Sequence, residues 1–184
     1  MNYSKTLLGG ALALVCLPAL AHPETAPHAH GFLDGFAHPF SGADHLLAML
    51  AVGMWSVRQP NAQALPPTFL GMMLLGVLSG VAGLAIPGLE LGIALTVALM
   101  GVLIALAARL PAPAGAALVG LFAVLHGNAH GHELPQAASA MGLLAASALQ
   151  ILAGRALGRV SPALVSKLSG ALIAAVGLLL VAGV

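Results

Sequence analysis

His126, His130 and Glu133, in the run HGNAHGHE, are the residues of this chain best placed to do chemistry. At about 100° per helical residue they fall within roughly a 60° arc, so a helix through the run puts two imidazoles and a carboxylate on one face. That is a donor set for a divalent cation. It closes an apolar stretch in a chain with only 6% charged residues, where each polar group carries a desolvation cost and marks a candidate functional site. A second cluster, His38, Asp44 and His45, lies in HPFSGADH. On a continuous helix His38 and His45 share a face and Asp44 stands about 100° away. Pro39 suits a first helical turn, and Gly42 allows an irregularity that swings Asp44 toward the histidines.

The elements that carry these clusters follow from composition. With 60% hydrophobic residues and a mean hydropathy of +1.03 over 184 residues, the chain lacks the polar surface of a soluble globule and is expected to be an integral membrane protein. Six Lys and Arg and a net charge of +1 supply no basic stripe for nucleic acid. The 23 glycines are the natural sites of close helix contact, with Gly76, Gly80 and Gly83 forming one small-residue stripe.

Residues 1–21 read as a cleavable signal peptide: Lys5, an apolar run from Leu7 to Leu17, Pro18, then Ala19-Leu20-Ala21. A run this short falls well below the roughly 20 residues of a bilayer span. Cys16, the single cysteine, belongs to that peptide, so the mature chain has no thiolate to offer a metal. Residues 22–37 form a periplasmic N-terminal segment in which His22, His28 and His30 could collect metal, while Phe32 and Asp34 read as interfacial linker residues.

Residues 38–184 form an all-α polytopic bundle of six transmembrane helices, near 40–57, 66–86, 90–108, 114–132, 136–154 and 164–183. Arg58, Arg109, Arg155, Arg159 and Lys167 all mark alternate turns, which puts those turns in the cytoplasm and both mature termini in the periplasm. Trp55 beside Arg58 is expected to anchor at the interface, and Asn128 and Gln150 to bridge helices. The first span then runs inward and the fourth outward, so both polar clusters land at external ends and can meet if those helices are neighbours.

These residues resemble the HupE/UreJ family, membrane accessories of nickel hydrogenase and urease systems regarded as nickel or cobalt permeases. The family pattern HPxxGxDH, followed by Leu47-Ala48-Met49, is matched from His38 to His45, and HGxAHGxE from His126 to Glu133. The resemblance covers essentially the whole chain. It implies metal-handling roles for His38, Asp44, His45, His126, His130 and Glu133, whereas His132 occupies a variable position and points elsewhere.

Imidazoles and carboxylates without thiolate disfavour Cu(I), magnesium and calcium, leaving nickel, cobalt and zinc; the choice of nickel or cobalt comes from the resemblance. The implied protein is a secondary permease of the bacterial inner membrane and not an enzyme. It would carry no prosthetic group, with nickel or cobalt as transported ion and cytoplasmic nickel chaperones as recipients. The motif GxxxxGK[ST] is absent, so energy would come from ion gradients, membrane potential or trapping. Two other classes share the donor set: an intramembrane zinc-dependent hydrolase and a non-transporting metal-binding accessory.

Overall fold

The computed structural model describes residues 31–184; the signal-peptide reading, Cys16 and the histidines at 22, 28 and 30 lie outside the described residues. All regular structure among the described residues is helical: α1 (Phe32–Ala37), a 3-10 turn (His38–Phe40), α2 (Ala43–Ser56), α3 (Leu65–Val81), α4 (Leu89–Ala105), α5 (Ala112–Glu133), α6 (Ala137–Val160) and α7 (Ala163–Gly183). Proline and glycine set the boundaries. Prolines 66, 67 and 113 sit in first turns, where a missing N–H costs nothing, while Gly83 and Gly88 adopt the left-handed backbone of the turn between α3 and α4.

Helices α5, α6 and α7 are each long and apolar enough to cross a membrane, and α3 and α4 are shorter apolar helices. Helix α2 has 14 residues, about 21 Å, and a helical path precedes it where the sequence reads as a linker. Pro39 tightens that path into the 3-10 turn, and Gly42 then takes an extended conformation that restarts the helix. Two other boundaries differ from the sequence reading. α3 stops at Val81, short of the residue 86 expected, and α6 runs on to Val160, which draws Arg155 and Arg159 out of the expected turn and into a helix.

The outer surface is apolar, and a set of polar side chains is buried within the apolar core. Leu75, Leu78, Leu152, Leu168 and Leu179 face outward, while His45, His126, Asn128, Ser147, Gln150 and Arg155 are buried. The closest helix pairs are α3 with α5, α4 with α7 and α2 with α6. Glycine permits each. A Cβ on Gly76 would strike Val124 and Gly127, one on Gly80 would strike Asn128 and Gly131, and Gly53 meets Ile151 and Gly154 in the same way. Register also gives direction: α3 and α5 run parallel, as do α2 and α6, whereas Ala98 against Gly177 and Ala105 against Gly170 make α4 and α7 antiparallel. These are the directions of a chain that reverses at every turn.

The end opposite the histidines is tied together by side-chain hydrogen bonds. Gln59 Nε2 donates to Ala108 O (3.1 Å), Asn61 Nδ2 to Ala112 O (3.1 Å), Arg58 Nη2 to Ser166 Oγ (2.9 Å) and Arg155 Nη1 to Ser56 Oγ (2.9 Å). Trp55 is 2% exposed and donates its Nε1–H to Ala108 O, so it is a buried strut and not the interfacial anchor expected. Its indole finds a backbone partner inside the bundle and gains nothing from the interface.

Because Gly127 faces the Met73 carbonyl and Val77 N of α3, Gly127→Ala must push two backbones apart. The expected cost is about 1–3 kcal/mol. It should be read as a lower thermal unfolding temperature of the purified protein in detergent, and an unchanged transition would contradict the packing described.

Candidate metal centre

Helices α2 and α5 carry the two polar clusters but are not a closely packed pair. Each leans on a glycine-rich partner, α6 and α3, and the space left between them is filled by imidazoles. Ring centroids step from His38 to His130 (5.0 Å), His130 to His45 (4.6 Å) and His45 to His126 (5.7 Å). This is a ladder descending into the bundle. Side-chain exposure falls from 35% at His38 to 11% at His130, and His45 and His126 are 2% and 1% exposed as residues.

Hydrogen bonds fix the ring orientations. Ser147 Oγ–H is committed to Leu143 O (2.8 Å), so His45 Nε2–H donates to that hydroxyl (3.1 Å) and leaves His45 Nδ1 as an acceptor. His130 Nε2–H donates to it at 2.7 Å. His130 Nδ1–H and His38 Nε2–H then both donate to Glu133 Oε2, at 3.0 and 2.8 Å. A carboxylate only accepts, so Glu133 Oε2 takes a hydrogen bond from both rings. His126 stands apart: its Nδ1–H donates to Phe122 O (3.0 Å) and its buried Nε2 has no partner.

His38, His130 and Glu133 present donor atoms within 4.8 Å of one another, close enough to hold one cation. Of the expected six residues, five thus join one side-chain ladder. Asp44 does not join it by contact: it lies in the first turn of α2, where its Oδ1 accepts the His45 backbone N–H (2.8 Å). The carboxylate offsets the positive helix end that would otherwise face an incoming cation. A Cβ on Gly42 would meet Asp44 Oδ1 at 2.7 Å, so a larger residue there would require that side chain to shift.

His132 turns away as expected and donates to Leu84 O (3.2 Å), a carbonyl it shares with Asn128 Nδ2 (2.9 Å). Ser147 is the residue sequence reasoning missed. A serine in an Ala-rich helix carries no motif, and only the fold shows it orienting His45. Gln150 bridges as expected, donating its Nε2–H to Pro39 O (3.2 Å) across the break before α2.

Fold and ladder together define an all-helical membrane protein with a histidine and carboxylate cluster reaching from one end of the bundle into its interior. The family model described as HupE / UreJ protein matches residues 10–180, and the chain is 43% identical over 147 residues to Protein HupE of Rhizobium leguminosarum bv. viciae, covering 79% of this chain and 76% of the relative. This chain belongs to the HupE/UreJ family. No solved structure matches it.

His38, at the open end of the ladder, is held above the usual 6.5 by its hydrogen bond to Glu133, against the opposing effect of burial; the charges of Glu133 and Asp44 add to the rise. A histidine raised in the folded state contributes stability that is full below its unfolded pKa of about 6.5 and is lost as pH rises through the higher folded value. Glu133→Gln removes the main cause. NMR titration of the His38 ring should show its midpoint falling in that variant, and an unmoved midpoint would contradict the contact.

Proposed function

We propose that the protein is a secondary permease that takes nickel or cobalt from the periplasm into the cytoplasm for metalloenzyme maturation. The single observation that carries the reading is the imidazole ladder, whose exposed top ends on Glu133 and whose buried end is a bare His126 nitrogen. A static structural network would be expected to satisfy that atom; a path for a cation benefits from leaving it free. Family membership supports the reading at the level of a transport or accessory role.

In this reading α2 to α7 are six crossings of the inner membrane, with both mature termini and the histidine end periplasmic. Arg58 and Arg155 lie at the opposite, cytoplasmic end, in keeping with the positive-inside rule. The ion sheds water onto His38, His130 and Glu133, passes to His45 and His126, and leaves once the hydrogen-bonded end around Gln59 and Arg155 opens. Asp44 contributes negative charge in the first turn of α2. A potential of 100 mV, inside negative, supplies about 4.6 kcal/mol to a doubly charged ion, enough for accumulation without ATP. Zinc fits the same donors, and cytoplasmic nickel chaperones are the recipients that would keep the free ion low. The reading includes no catalytic step and no prosthetic group.

Radiolabelled nickel, cobalt and zinc uptake into sealed proteoliposomes, with an inside-negative potential imposed, tests it. Wild type should accumulate nickel or cobalt, and His130→Ala or Glu133→Gln should insert normally and lose at least about tenfold in initial rate. Binding without flux in wild type would instead favour a non-transporting accessory.

A further inference from the structure

Charge is sorted by end among the described residues. The acids Asp34, Asp44, Glu90 and Glu133 all lie at the histidine end, and the cations Arg58, Arg109, Arg155, Arg159 and Lys167 all lie at the other. No described arginine or lysine pairs with a described carboxylate. Arg155 finds neutral partners inside the bundle, on Ser56 Oγ and the Ala62 carbonyl. Arg58 is less provided for. It spends one N–H on Ser166 Oγ (2.9 Å), and no other acceptor among the described residues takes the rest of its guanidinium.

Arg58 stands on a crevice where the ends of α2, α4 and α7 meet, walled by Trp55, Leu103, Ile104 and the buried Ser166. The Ser166 hydroxyl accepts from Arg58 and keeps its own proton to donate. Ala107 and Ala108 complete the rim, so Arg109 follows one residue beyond it, and Lys167 follows one residue beyond Ser166. Three cations thus attend one notch. Its free volume of about 10 Å³ admits a single oxygen-sized group and not a whole headgroup. Beside it Leu106 and Leu168 are exposed on the outer surfaces of α4 and α7, at the level where a bilayer turns from hydrocarbon to headgroup.

We propose that this notch takes one phosphate oxygen of an anionic glycerophospholipid of the cytoplasmic leaflet. The phosphodiester lies among Arg58, Arg109 and Lys167, and the acyl chains run along the leucine-bearing faces of α4 and α7. A planar guanidinium with spare donors suits a phosphate, and basic recesses between helix ends on the cytoplasmic side suit lipid headgroups in particular. A soluble phosphate would gain nothing from the apolar walls. A lipid held there reinforces the Arg58 to Ser166 tie between the end of α2 and α7. The inference rests on the membrane orientation of the permease reading and is independent of the cargo.

Trp55 is the single tryptophan of the chain and lines the crevice, so its fluorescence reports the occupant. The full chain is reconstituted in phosphatidylcholine bilayers at about 0.15 M salt, where diffuse charge attraction is largely screened. Phosphatidylglycerol with brominated acyl chains is then titrated in, with brominated phosphatidylcholine as reference. Wild type should be quenched at a mole fraction of the anionic lipid at least about tenfold lower than of the neutral one. Arg58→Gln and Lys167→Gln should each cut that preference by about fivefold, and Arg159→Gln, on a helix that does not wall the crevice, by less than about twofold. Lys167 is exposed and makes no side-chain hydrogen bond among the described residues, so its substitution tests the site without endangering the fold. Equal quenching by the two lipids, a preference untouched by Arg58→Gln and Lys167→Gln, or an equal loss in Arg159→Gln would each overturn the inference. Relief of quenching by millimolar inorganic phosphate would overturn the lipid assignment in favour of a free anion. Absent metal flux, by contrast, bears on the permease reading alone.

Discussion

A ladder of four imidazoles must lead from a half-exposed carboxylate into an apolar bundle, and the rest of the structure answers to that requirement. No one of them is cheap to bury, and each is tolerated because a neighbour supplies the hydrogen bond that water would have given. Ser147 does this for His45, the Phe122 carbonyl for His126, and Glu133 for both His130 and His38. The glycine contacts serve the same end indirectly. By drawing α3 onto α5 and α2 onto α6 until backbones touch, they leave the separation between α2 and α5 to be filled by rings.

The break at Gly42 is the second device. An unbroken helix through HPFSGADH would satisfy the Pro39 carbonyl within the helix; the restart at Ala43 frees it for Gln150 and puts Asp44 in the first turn of α2, where it accepts the His45 N–H. The opposite end of the bundle is built on neutral hydrogen bonds and on arginines that have no carboxylate partner among the described residues. At the histidine end Glu133 is half exposed.

Much of this is legible in the residues. Spacing alone places His126, His130 and Glu133 on one helix face, and the alternation of cationic turns gives the directions that the helix contacts reproduce. What spacing does not give is partnership. Periodicity says which face a residue occupies and nothing about which helix covers it, so the sequence leaves the adjacency of α2 and α5 open; their histidine rings meet although the two helices are not a closely packed pair. Ser147 is invisible for the same reason, since its role exists only against His45. Trp55 misleads because an aromatic beside an arginine looks interfacial until its Nε1–H is seen on Ala108 O. Arg155 reads as part of a turn, yet nothing in Arg155 to Pro162 stops a helix before the proline itself.

The central claim is that a cation is held by imidazole and carboxylate donors drawn from both α2 with its preceding turn and α5. X-ray absorption at the nickel edge, on the nickel-loaded full chain in nanodiscs, tests it most directly. The account predicts a nitrogen and oxygen shell with the multiple-scattering signature of at least two imidazoles, one of which disappears in His130→Ala. A shell of water oxygens alone, unchanged by that substitution, would contradict it.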